Sequence, residues 1–134
     1  MRALICQYLI ALVFLGLGGW ALFFPGHVIE LGFTEAYRDD SFAMRFIMAC
    51  FGAQAVMFGI MTLVVQWKAC AFAIFAVVLI PFFGFNYYFH YEVPVLTAYG
   101  MIDFAGNLTM FIACLLGWQA ARRDEEGVGG IVRL

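Results

Sequence analysis

Charge is what this chain has least of. Only 12% of its 134 residues are Asp, Glu, Lys or Arg, and 66% are hydrophobic. A soluble domain is about a quarter charged and about half apolar. An excess this large cannot be kept from water in one short domain, so the composition implies lipid as the solvent. No basic patch or stripe is present, which leaves no footing for a nucleic-acid partner. Four cysteines, Cys6, Cys50, Cys70 and Cys114, form no CxxC pair and lie inside apolar stretches, so they read as buried reduced thiols. Two histidines, His27 and His90, are far apart with no clustered ligands, so no metal site is expected. Nor do the apolar runs alternate with polar residues as a β-barrel strand requires.

What the chain has in quantity is long apolar runs. A bilayer core about 30 Å thick takes about 20 residues of helix, and helices satisfy their own backbone in lipid. Four stretches qualify, at about residues 3–24, 41–65, 69–89 and 95–118. The expectation is an all-α fold, a membrane-spanning up-and-down four-helix bundle over residues 1–120. A charged, then Gly-rich tail over residues 121–134 is expected to be flexible. The first apolar run is longer than a signal-peptide core and no A-x-A site follows it, so it reads as a retained span.

Basic residues set the orientation. Arg2, Lys68, Arg122, Arg123 and Arg133 fall on one side, whereas Glu30, Glu35, Asp39, Asp40 and Glu92 mark the other. Both termini are therefore expected in the cytoplasm. In the longest connection, "PGHVIELGFTEAYRDD", the segment "VIELGF" suits a short amphipathic turn, and "RDDS" suits a helix start capped by Asp40 or Ser41.

The stretch "FFGFNYYFHY", residues 82–91, has seven aromatic side chains in ten positions. Tyr87, Tyr88 and Tyr91 suit the outer aromatic belt. Asn86 and His90 are four apart and so share a helix face. Pro81 lies below them and removes a helix hydrogen bond, so a kink is expected there.

Ionisable groups inside a span are costly and need partners. Arg45 and Asp103 are the two that qualify, at similar depth and with opposite charge. Arg45 shares a stripe with Ala49, Gly52, Val56, Gly59 and Leu63, and Asp103 with Gly106, Asn107, Met110, Cys114 and Gly117. Small residues let helices approach closely, so both stripes are expected to face inward and Arg45 to meet Asp103. One reading is a buried ion pair that fixes register. Another is an outward-opening pocket of Arg45, Asn86, His90, Asp103 and Asn107 that holds an anionic headgroup or a quinone carbonyl. A proton relay through Asp103 and His90 is a third. Gln54 lies opposite Arg45 with Phe51 and Phe58, and a lone amide facing lipid is costly. That face is expected to contact another subunit, unless Gln54 folds back on its own backbone.

The phrases "LIALVFLGLGGWALFFPG", "SFAMRFIMACFGAQAVMFGI" and "YGMIDFAGNLTMFIACLLGW" together resemble the small four-helix bacterial membrane proteins of the DoxX-like group, over about residues 5–120. The resemblance implies a bundle in the bacterial inner membrane that works beside a partner, in some members in quinone-linked sulfur oxidation. It brings no catalytic residues. An acid in the first span, needed by small multidrug carriers, is missing, and so is the Arg-rich cytoplasmic face of glutathione-transferring membrane enzymes. The functional expectation is a non-enzymatic accessory or scaffold subunit, or a homo-oligomer. The alternative is a binder of lipid or quinone, with no other cofactor.

Overall fold

The computed structural model describes residues 1–131, so residues 132–134 of the expected tail, Arg133 included, lie outside the described residues. Among the described residues the fold is all-α. Four helices are long and apolar enough to cross a membrane: α1 (Arg2–Phe23), α3 (Phe42–Val64), α4 (Ala69–Tyr87, continued by a π-turn through Glu92) and α5 (Ile102–Ile131). This is the make-up of a multi-pass membrane protein. A short helix, α2 (Pro25–Gly32), follows α1.

The boundaries follow local chemistry. Phe24 leaves the helical region (φ −132°, ψ 52°), as a residue before proline tends to, and Pro25 then starts α2, where a missing N–H costs nothing. Ser41 caps α3 by accepting the Met44 N–H at 3.2 Å, and Asp39 holds both the backbone N–H and the hydroxyl of Ser41. The expected amphipathic turn at "VIELGF" belongs to α2, which buries Ile29 completely.

The last span differs from its expected limits at both ends. It begins at Ile102 rather than near residue 95, because the preceding backbone is committed elsewhere. The Thr97 N–H donates to the Gly32 carbonyl (3.0 Å), the Thr34 N–H to the Val95 carbonyl (2.9 Å), and Phe33 bridges Leu96. Residues 93–101 thus form a cap over α2. Gly100 fits there because a Cβ would collide with the Gly32 carbonyl. At the other end α5 continues to Ile131, so the expected flexible tail is helical over residues 121–131. Glu125 accepts the Ala69 N–H at the start of α4 (3.0 Å), and Arg122 pairs with Glu126 one turn on, an arrangement that favours helix.

The four long helices run up and down. The start of α1 meets the end of α3 through Gln7, and the start of α4 meets the end of α5 through Glu125. Packing is closest between α1 and α3, where Gly18 and Gly52 face each other. A Cβ on Gly52 would lie 2.6 Å from the Gly18 carbonyl oxygen, and one on Gly18 would lie 2.7 Å from Ala55. The inward small-residue stripe expected on α3 is therefore the α1 contact. α1 also packs on α5, and α5 on α4, around a core of Ile10, Phe72, Leu79, Met110 and Cys114. The fourth edge is open: no Cα of α3 comes within 8 Å of one in α4. The two are consecutive in sequence and joined by four residues, yet their backbones stay apart and only side chains reach across. The result is a bundle with a lateral seam.

Candidate functional site

The seam widens into a cleft of two lobes. The lower lobe, about 240 Å³, has α1 and α5 as its floor and α3 and α4 as its walls. Phe51, Gln54 and Phe58 come from α3, and Phe75, Val78 and Phe82 from α4. Its inner end is closed by rings: Phe58 stacks on Phe75, and Phe14 packs on both. The upper lobe, about 230 Å³, runs toward the α2 cap past Trp20, Val28, Leu96 and Tyr99. Leu17, Phe51, Phe82 and Asp103 line both lobes, so the two form one cleft with Asp103 at the junction.

The polar content of this cleft is small and organised. Asp103 is the second residue of α5, where the free N–H groups and the helix dipole favour a negative charge. Its Oδ2 accepts from Asn107 Nδ2 at 2.8 Å and from Asn86 Nδ2 at 3.0 Å. Asn86 Nδ2 also donates to the Phe82 carbonyl at 2.9 Å. Both Asn side chains are 4% exposed. The amide orientations are dictated by these partners, since a carboxylate and a carbonyl only accept.

The expected five-residue pocket is therefore brought together in part. Asn86, Asp103 and Asn107 meet as expected, but Arg45 does not join them. Its guanidinium closes on Asp40, five residues earlier, through Nε at 2.6 Å and through Nη2, and it lies over Gly26 of α2. The expected Arg45–Asp103 pair is thus replaced by a pair whose side chains are each 51% exposed. The physical reason is proximity: Arg45 sits one turn inside α3, and the turn before Ser41 puts an acid within its reach at the surface. That guanidinium, mainly through its hydrogen bond, holds the Asp40 carboxyl below the usual aspartate range.

His90 is also absent from the cleft. It lies in the π-turn Tyr88–Glu92, where the Val93 N–H reaches back five residues to the Tyr88 carbonyl. A π-turn widens the helix, so the four-residue spacing from Asn86 no longer keeps one face. His90 Nδ1 instead meets the Leu96 carbonyl at 3.1 Å and steadies the cap. The relay expected between Asp103 and His90 has no direct contact to run through.

Gln54, Phe51 and Phe58 lie opposite Arg45, as expected, and remain exposed. They form the α3 wall of the cleft. Gln54 has no hydrogen-bond partner among the described residues, so it does not fold back on its backbone. The aromatic run divides its work: Phe82 lines the cleft, Phe83 packs edge-on against Phe104 and Phe111 of α5, and Tyr87 pairs with Tyr91 near the cap.

One polar residue escaped the sequence reading. Gln7, 3% exposed, donates to the Thr62 and Val65 carbonyls at the end of α3 and accepts the Trp67 N–H at 3.1 Å. It closes the bundle opposite the cleft. The signal was available, because an amide deep in an apolar first helix needs a partner as much as Gln54 does.

No family model, curated protein or solved structure matches this chain.

Proposed function

We propose that this is a multi-pass protein of the bacterial inner membrane, with both termini in the cytoplasm, that binds a bilayer-resident amphiphile in the cleft between α3 and α4. One observation carries the reading: the bundle is unsealed along a single edge, and behind that opening lies an apolar cleft with a buried polar cluster at mid-length. Ligand sites are commonly concave, mostly apolar and fitted with a few convergent polar groups. A chain entering sideways from the bilayer would lie along Phe51, Phe58, Phe75 and Phe82, with its head at Asp103. The resemblance to the DoxX-like group favours the inner-membrane address. A catalytic role has no support from the residues that line the cleft, whose single ionisable group in the buried cluster is Asp103.

A second reading has its own support. An accessory subunit or homo-oligomer would seat a neighbouring helix in the same seam, against the unpartnered Gln54 and the exposed Phe51 and Phe58. Native mass spectrometry of the protein released from lipid nanodiscs separates the two. A monomer that retains one amphiphile, lost when Gln54→Trp fills the lower lobe, supports ligand binding. A lipid-free oligomer that Gln54→Trp dissociates defeats it in favour of the subunit reading.

A further inference from the structure

We propose that the head of the bound amphiphile is a primary ammonium group, held by Asp103 with Asn86 and Asn107. This inference rests on the ligand-binding reading of the cleft and adds the chemistry of the ligand.

Acceptors outnumber donors in the buried cluster. Asn86 has two N–H groups, and both are used, on Phe82 and on Asp103. Asn107 uses one on the same carboxylate oxygen and keeps the other N–H spare. Left over are Asp103 Oδ1, Asn86 Oδ1 and Asn107 Oδ1, none of which receives a hydrogen bond from the described residues. None of the three is sealed in protein, since the one buried side-chain polar atom without a partner is Thr62 Oγ1, at the other end of the bundle. The cluster therefore stands at the junction of the lobes, Asn107 lining the lower, Asn86 the upper and Asp103 both, with three acceptor oxygens that lack a donor. Acceptors that face an apolar cleft without donors are costly, and a carboxylate there without a counter-charge more so.

Nothing among the described residues supplies that counter-charge. No residue lining either lobe is basic. Arg45 is engaged with Asp40, and Arg38 donates to the Phe33 carbonyl. An anionic head would be repelled by Asp103, and a quinone carbonyl could accept from the spare Asn107 N–H or from Gln54 but would leave the carboxylate without a counter-charge. Both were plausible only with Arg45 in the pocket. An ammonium group brings one positive charge and three donors, which suits a carboxylate shared by both lobes and flanked by amide oxygens. The rings of Phe51 and Phe82, which line both lobes, add favourable faces for a cation.

The test is photo-crosslinking of the full chain in phosphatidylcholine nanodiscs, with a long-chain primary amine carrying a diazirine in its tail. Dodecylamine, dodecyltrimethylammonium, dodecanol and dodecanoate serve as competitors. The expected adducts map to α3 and α4 residues of the lower lobe. Dodecylamine should displace the probe at about tenfold lower concentration than the other three, the size of a charge-assisted hydrogen-bond effect. Asp103→Asn should erase that advantage while still giving both amides an acceptor. Gln54→Trp should reduce labelling whatever the head group. Adducts in the cleft with four equal competitors, or an amine preference that survives Asp103→Asn, would overturn the ammonium head and leave the cleft standing as a lipid site. Adducts confined to other surfaces would overturn both. Should Asp103→Asn fail to fold, the competitor series on the unaltered chain decides alone.

Discussion

Phe58 and Phe75 stack across the seam, with ring centroids 5.4 Å apart and planes 20° from parallel. They bridge two helices whose backbones stay apart, and Phe14 of α1 buttresses them from below at 4.9 and 5.8 Å. The pair closes the inner end of the lower lobe.

Removing one ring should cost little stability and change the cleft a great deal. An aromatic pair contributes about 0.5–1.5 kcal/mol beyond burial, and Phe58 is still 43% exposed. Phe58→Ala is expected to lower stability by about 2 kcal/mol in a detergent unfolding titration. The lower lobe should lengthen toward Trp67, whose ring packs on Phe75 at 5.4 Å. Quenching of Trp67 fluorescence by brominated lipid should therefore rise in the variant. Unchanged quenching would mean that the inner end is closed by other groups.

The α1–α3 contact predicts a sharp contrast between glycines. A methyl group on Gly52 would meet backbone atoms of Gly18, Ala21 and Leu22, none of which can yield without moving a helix. Gly16, two residues from Gly18 on α1, has open space around it. Gly52→Ala is expected to destabilise by about 3 kcal/mol or more, toward the upper range for overpacking. Gly16→Ala should gain about 0.5–1 kcal/mol from helix propensity. Thermal unfolding of both variants in one detergent checks the pair, and equal effects would refute the close crossing.

Much of this architecture was legible in the sequence because it rests on local signals. Apolar length marked the four spans, Ser41 marked a cap, and the period of Gly52 and Gly59 marked the packed face of α3. The trio of Asn86, Asp103 and Asn107 followed from depth and helical phase. What misled was competition among partners. Arg45 had two acids within conceivable reach, and helical phase favours Asp103 while the loop geometry before Ser41 favours Asp40. The π-turn that moves His90 off the Asn86 face has no reliable sequence signature. The start of α5 was set by tertiary hydrogen bonds from Thr34 and Thr97, which hydropathy does not register. The open seam is a further case, since four apolar helices joined by short links suggest a closed bundle.

Gln7 should be the most sensitive polar residue of the inner end. It satisfies two carbonyls and one N–H where α3 stops, and each buried group left unpaired costs about 1–3 kcal/mol. Gln7→Leu is expected to destabilise by about 3 kcal/mol, partly relieved by water entering from the membrane surface. Hydrogen exchange at the Trp67 amide should accelerate in the same variant. A Gln7→Leu protein with unaltered melting and exchange would show that the end of α3 is held by something else.

The Arg45–Asp40 pair should matter little, and that is itself diagnostic. Both side chains are half exposed, so solvent and salt screen the attraction. Hydrogen bonding to Arg45 lowers the folded-state value of Asp40. A lowered carboxyl contributes stability at pH above its unfolded value, about 3.9, and loses it as pH falls through the lower folded value. Asp40→Asn should therefore melt almost as the unaltered protein does at pH 7, with any small difference shrinking on acidification past that range. Arg45→Gln and Asp103→Asn should act additively, because residues without shared partners do not couple. If Arg45 instead neutralised Asp103 inside the membrane, the double variant would recover stability that each single change had lost. Melting temperatures of the two single variants and the double variant, at one detergent concentration, decide between a surface clamp and a buried pair.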